Sequence, residues 1–272
     1  MSTPVRIAFL SCAALVIGGL VACATTPTGR KQLRLVPAST MEALGVQSFE
    51  QIKQEEPISQ DPAANRYVRC LADALIAELP AKWRRKQWEV VVFDSDTVNA
   101  FALPGGRIGV YRGIMEVADA PEQLAAVMGH EIGHVLANHG NERVSQGLVA
   151  QGVMVSASVL TAGNPRTQQA VLAGLGLGAQ VGVLLPFSRK HESEADLIGM
   201  DLMAEAGFDP HGAVQLWRNM AARSKGQPPQ FLSTHPSHQT RIQALQKHLS
   251  VAVPKYESAR SRGRRPACVP PR

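Results

Sequence analysis

Apolar residues recur at helical spacing through Ser39–Glu55 and again through Ala63–Leu79, with Pro57 and Pro80 as bounds. The pattern then changes. Trp88–Phe93 is a β-rich run and predicts a strand, and Asn99–Leu103 and Arg107–Tyr111 read as two more around a turn at Pro104-Gly105-Gly106. Helical spacing resumes at Leu124, Val127, Met128, Ile132 and Val135. Asp119-Ala-Pro-Glu122 before them fits a capping box with Pro121 in the first turn, and Gly140 is the expected stop. Ser188–Ala206 predicts another helix, ended by Gly207, and Asp209-Pro210 opens the next. Ser237 is expected to cap a last helix running to Leu249. The fold class is therefore α+β, mainly α, with a small sheet of about three strands amid helices.

Gly147–Pro186 is apolar and glycine-rich, without a clean span of about 20 residues in either half. Tightly packed helices around a loop at Gly163-Asn164-Pro165 are expected there. The Gly174–Gly178 run has no strand before it and is not a nucleotide fingerprint.

The N-terminus reads as an address. Arg6 is followed by an apolar stretch from Ile7 to Leu20, too short for a membrane span. Leu20-Val21-Ala22-Cys23 then looks like a bacterial lipobox, in which the thiol of Cys23 receives lipid. Ala24 after it resembles the rule for outer-membrane sorting. Residues 1–22 are thus expected to be a lipoprotein signal peptide, and 23–37 a lipid-anchored linker. Facing the periplasm, Cys70 and Cys268 are the two remaining cysteines, and an oxidising compartment predicts a disulfide between them.

A net charge of +6 suggests nucleic acid until it is located. Lys255, Arg260, Arg262, Arg264, Arg265 and Arg272 against Glu257 supply nearly all of it. The balance describes a basic tail, 254–272, expected to be solvated or to meet an anionic surface, and no nucleic-acid partner is expected.

The chemistry centres on His130-Glu131-Ile132-Gly133-His134, an HExxH pattern inside a predicted helix. Residues four apart share a helix face, so both imidazoles turn to one ion while Glu131 can reach the water beside it. A catalytic zinc needs a third protein ligand. Gly140 stands where a metzincin would place its third histidine, which excludes that class. His139 points about 140° away from His134 on one continuous helix, so it is expected at the surface or behind a ligand. The third ligand is expected from Ser188-Arg-Lys-His-Glu192-Ser-Glu194-Ala-Asp196. Glu192 and Asp196 share a face, one able to bind metal and the other to orient a ligand histidine, and Glu194 faces elsewhere.

HExxH, the Ser-Arg-x-x-Glu-x-Glu-Ala-Asp run and Thr234-His235-Pro236 before Arg241-Ile242 together resemble the HtpX-like and CAAX-prenyl-protease-like zinc metallopeptidases, which are gluzincins. Within that family the chain is most similar to periplasmic lipoproteins. Thr28-Gly29-Arg30 and Asn99–Gly106 belong to the same resemblance, which covers about residues 23–250. It implies one zinc ion per chain on His130, His134 and Glu192, with Glu131 as base and Asp196 in support. It implies that His235 lies near the metal, to steady the oxyanion or to occupy the open position, and that Arg241 supports the same pocket. The metallopeptidase domain is expected at 38–253. Its expected substrates are unfolded or misassembled envelope proteins, paired in extended form with an edge strand near Phe101–Val110. The expected function is a zinc endopeptidase of protein quality control. The alternative is an assembly factor or chaperone for outer-membrane proteins with a latent site.

Overall fold

The computed structural model describes residues 23–150, 187–223, 230–235 and 239–271. The signal peptide, the expected loop at Gly163–Pro165, the Gly174–Gly178 run and the Ser237 cap lie outside the described residues.

The described residues open with a hairpin, β1 (Cys23–Thr25) and β2 (Lys31–Leu33), paired antiparallel. Pro27 presets the turn, the Gly29 N–H bonds the Thr26 carbonyl at 2.9 Å, and Gly29 takes φ +89°, a value open to glycine. A linker was expected at 23–37. The segment is instead fastened to the body, because Asn141 donates to the Val36 carbonyl at 2.7 Å and the Leu35 N–H meets Ser145 at 2.9 Å.

Helices α1 (Ala38–Glu55), α2 (Pro62–Ala77) and the single turn α3 (Ala81–Arg84) follow. The Asp61 carboxylate caps α2 by accepting from the Ala63 N–H, with Pro62 at its first position. Strands β3 (Glu89–Phe93), β4 (Ala100–Leu103) and β5 (Arg107–Tyr111) make the expected three-stranded sheet in the order β3-β5-β4. β5 is central, parallel to β3 and antiparallel to β4. The edge beside the active region is therefore β4, and the Arg107–Val110 half of the expected edge is interior.

Helix α4 (Pro121–Leu136) carries HExxH, and every residue from Gln123 to Leu136 is buried. Its N-cap is Ala120, without a side-chain cap, so the expected capping box does not form. Asp119 accepts instead from the Gln123 side chain at 2.7 Å. Nor does Gly140 stop the helix. Asn138 does so in a left-handed conformation (φ 56°), which asparagine tolerates, and α5 (His139–Ala150) starts directly after it.

Helix α6 (Arg189–Glu205) is capped by Ser188, whose hydroxyl accepts from the His191 N–H. It lies against α4 along a seam of small residues. A Cβ on Gly133 would sit 2.8 Å from the Ala195 carbonyl oxygen, and one on Gly199 only 2.6 Å from the Gly129 backbone. Glycine at these positions brings the two helices close enough for their polar side chains to share one centre. Leu71 and Leu75 of α2, Val92 and Val110 of the sheet, and Leu124, Met128 and Ile132 of α4 form the core beneath that centre.

Helices α7 (His211–Arg223), α8 (Gln230–Thr234) and α9 (Gln239–Ser261) complete the described elements. α9 runs past the expected end at Leu249 and carries Pro254 inside it. The basic tail is fastened at several points, while Arg262, Arg264 and Arg265 remain exposed, as a solvated tail predicts. Lys255 Nζ reaches Glu205 at 2.9 Å and Asp201 at 3.0 Å, Arg264 reaches Glu78 at 2.8 Å, and Cys268 is disulfide-bonded to Cys70 of α2. Among the described residues no helix is long and apolar enough to cross a membrane.

Candidate metal centre

His130 and His134 of α4, Glu192 of α6 and His235, just after α8, are all buried and offer four donor atoms within 4.8 Å of one another. The separations are regular. His130 Nε2 is 3.0 Å from His134 Nε2 and 3.2 Å from His235 Nδ1. Glu192 Oε1 is 3.1 Å from His235 Nδ1 and 3.5 Å from His134 Nε2. Four ligands held tetrahedrally at 2.0–2.1 Å would stand about 3.3 Å apart.

The charges ask for a cation at the same place. Burial pushes the His130 imidazolium down, but the Asp196 and Glu192 carboxylates override it and raise the group to about 9. Burial pushes the Glu192 carboxyl up, and the imidazoles of His130, His134 and His235 together hold it ionised. Burial keeps His134 well below its ordinary range, hence neutral. A proton on His130 meets one of these demands. A divalent metal among the four donors meets them together, so the residues fit a metal.

The outer partners aim the ligands. His130 Nδ1 donates to Asp196 Oδ1 at 2.9 Å, which turns Nε2 inward. Asp196 is held by Arg241, which also donates through Nη1 to Glu192 Oε2 at 2.6 Å and lies over the Trp217 ring at 3.7 Å. His134 is supported differently. Its Nδ1 meets His139 Nδ1 at 2.9 Å, and His139 Nε2 meets Glu194 Oε2 at 3.1 Å. Burial, followed by the neighbouring His191, lowers His139 to about 4, so it is neutral. His139 thus stands behind a ligand and is not at the surface. The wheel angle counted from His134 did not apply, because Asn138 separates two helices. Glu194 does face away from the metal, as its spacing predicted, but toward Arg30, Thr28 and the buried His139 rather than open solvent. Arg30 and Glu142 join it there without any signal in the helical pattern.

Glu131 lies beside the four donors. Burial raises its carboxyl, opposed by His235 and His130. The Ala102 backbone N–H of β4 bonds to it, and Oε1 has no hydrogen-bond partner among the described residues. His235 Nε2 is 3.5 Å from that oxygen. Glu131, His235, Thr234 and the stretch Asn99–Ala102 line a cavity of about 20 Å³, space for a single water molecule. A larger cavity of about 270 Å³ runs along the other end of β4, where His134, Leu103, Met41 and Trp83 line it. His235 itself is fixed by Phe231, whose ring stacks on it at 4.5 Å.

The chain is similar in sequence to known proteins. Mitochondrial metalloendopeptidase OMA1 of Schizosaccharomyces pombe is 39% identical over 182 residues, 64% of this chain and 50% of that protein. The β-barrel assembly-enhancing protease of Yersinia pestis is 31% identical over 208 residues, 74% of this chain and 42% of that protein. Its namesake in Escherichia coli K12 is 29% identical over 199 residues, covering 71% and 40%. The chain thus spans half or less of the length of these relatives. The sequence model of Peptidase family M48 matches residues 62–249, more than half of the chain, and the chain belongs to that family.

Proposed function

We propose that this protein is a zinc-dependent endopeptidase of the cell envelope that hydrolyses peptide bonds in unfolded or misassembled proteins. The observation that carries this reading is the Glu131 carboxylate, unpartnered on one oxygen, beside four convergent metal donors and against the edge strand β4. A structural metal site closes with its ligands and has no use for such a base.

His130, His134 and Glu192 would hold the zinc. Bound there, zinc would bring the pKa of a water near neutral and polarise the scissile carbonyl. Glu131 takes the proton from the attacking water at Oε1 and delivers it to the leaving amine. The Ala102 N–H keeps that carboxylate oriented. β4 is the sheet's edge strand beside Glu131, and an extended substrate would add to it, a mode that reads backbone more than side chain and suits unfolded chains. His235 faces the metal position through Nδ1. In this reading His235 stands beside the ligands where a substrate would approach, and would slow proteolysis until it moves aside. That also accommodates an assembly role in which proteolysis is released only on engagement.

The Cys70–Cys268 bond supports an oxidising compartment, and the signal-like segment ending at Cys23 supports lipid anchoring facing the periplasm. The names of two relatives, a metalloendopeptidase and a β-barrel assembly-enhancing protease, agree with quality control of envelope proteins.

Casein cleavage by the mature protein tests the activity, with chelation and zinc add-back. Wild type and His235→Ala should cleave, both should stop with chelator and recover with zinc, and Glu131→Gln should bind zinc without cleaving. No cleavage by either zinc-loaded, folded protein would overturn the assignment.

A further inference from the structure

The hairpin that starts at Cys23 reaches the metal centre through an unbroken chain of hydrogen bonds, half-buried at Arg30 and fully buried from Glu194 inward. Arg30, at the end of the Thr26–Arg30 turn, donates through Nε to Glu194 Oε2 at 2.7 Å. Its other two nitrogens grip both oxygens of Glu142, Nη1 to Oε1 at 2.8 Å and Nη2 to Oε2 at 2.6 Å. The Thr28 hydroxyl donates to the second oxygen of Glu194. Glu194 Oε2 is also the partner of His139 Nε2, and His139 Nδ1 is the partner of His134 Nδ1. Glu142 is shared with His191 Nε2 at 3.1 Å, and the His191 and His139 rings stack at 4.5 Å.

The direction of each hydrogen bond follows from one end. A carboxylate gripped by a guanidinium and a hydroxyl is ionised and only accepts. His139 must then carry its proton on Nε2, which leaves Nδ1 as an acceptor. His134 must donate from Nδ1, and its Nε2 is left with a lone pair facing the metal donors. A ligand histidine is usually oriented in this way by a carboxylate or carbonyl directly behind it. Here the carboxylate stands one imidazole further back, and the cation fixing it lies on a different element more than 100 positions away in sequence.

We propose that Arg30 is a positioning residue for the metal ligand His134, acting through Glu194 and His139, so that the N-terminal hairpin is a working part of the metal centre. This rests on the reading of the four-donor cluster as a metal site and deepens it. Lysine cannot reproduce the fork, because it presents one point charge where Arg30 engages two carboxylates at fixed angles. Arg30→Met leaves Glu142 and Glu194 without their shared cation, and the tautomer of His139 is no longer imposed.

The test measures metal affinity of the mature protein by competition with a chromophoric chelator, beside the d–d spectrum of the cobalt-loaded protein. Arg30→Met should weaken zinc by about ten-fold or more, the range found when groups behind a ligand histidine are removed. Arg30→Lys should fall between it and wild type. Both should alter the cobalt spectrum, which a loss of packing alone would leave unchanged. Glu194→Gln should cost affinity in wild type and add little in the Arg30→Met background. Should Arg30→Met fail to fold, Arg30→Lys and Glu194→Gln carry the same comparison. Wild-type zinc affinity and an unchanged cobalt spectrum in folded Arg30 variants would overturn the proposal, whatever the casein assay shows. Absence of casein cleavage with these affinity losses intact would overturn the peptidase reading and leave Arg30 in its role.

Discussion

Arg241 grips Asp196 by two parallel hydrogen bonds, Nε to Oδ2 and Nη2 to Oδ1, each 2.7 Å long. All partners of this fork are buried, and its third arm reaches Glu192. Removing the guanidinium strands two carboxylates in the interior. Arg241→Met should destabilise the metal-free protein by about 3–5 kcal/mol in urea unfolding. Zinc should bind about 10–100-fold more weakly, because His130 loses the anchored partner of its Nδ1. Unfolding midpoints and chelator competition on the same samples check both effects.

His235 is the donor among the four whose departure would open the centre while leaving two histidines and a carboxylate. His235→Ala should retain zinc and cleave casein faster than wild type, measured as initial rates at equal zinc occupancy. A fall in rate at full zinc occupancy would give His235 a part in stabilising the reaction instead of blocking it.

Much of this centre is legible in one sequence because helix periodicity is local. The four-residue spacing puts His130 with His134 and Glu192 with Asp196 on helix faces, and the helices form where that pattern predicts them. Periodicity says nothing about which helix meets which. The meeting of α4 and α6 depends on Gly129, Gly133 and Gly199, whose missing Cβ atoms have no hydrophobic signature. Asn138 turns the chain with a polar residue that also suits a helix surface, so the sequence does not show that His139 begins a new helix, although the expected place behind a ligand is where it stands. Arg30 finds Glu142 and Glu194 only through the fold. The ion pairs of Lys255 and Arg264 leave no local signal, because their acidic partners, Asp201, Glu205 and Glu78, come from distant stretches.

Gly199 tests that seam. A methyl group there would lie 2.6 Å from backbone atoms of Gly129 and His130, which cannot swing aside as a side chain can. Alanine gains about 1 kcal/mol of helix propensity over glycine. Overpacking typically costs about 1–3 kcal/mol, and here the neighbour is rigid, so the net sign is destabilising. Gly199→Ala should lower the melting temperature. Zinc affinity should fall with it, since His130 and Glu192 sit on opposite sides of the widened seam.

Cys70 and Cys268 are 198 positions apart, and their bond holds the C-terminal segment against α2. Chain-entropy arguments value so long a loop at about 5 kcal/mol as an upper figure. Cys268→Ser should lose about 2–5 kcal/mol of unfolding free energy and become insensitive to reductant, whereas wild type should fall to the level of the variant when reduced. Urea curves with and without reductant make the comparison.

Glu194 gives the acid side of the stability profile a specific origin. Burial pushes its carboxyl up, but hydrogen bonds from Thr26, Thr28, Arg30 and His139 outweigh this and hold it at about 2. The ordinary value is 4.5, so the folded state binds this proton less readily than the unfolded chain. Its contribution to stability is then fully present above about 4.5 and is lost as pH falls from there toward 2. Glu194→Gln removes the titrating group and keeps the side chain's size. The stability gap between wild type and Glu194→Gln should therefore be widest near neutral pH and narrow steadily below pH 4.5. Urea midpoints taken on metal-free protein from pH 7 to pH 3 read this directly. A gap of constant width across that range would mean that the carboxyl titrates in the folded protein as it does in the unfolded chain, and that Arg30 and the two threonines do not hold it down.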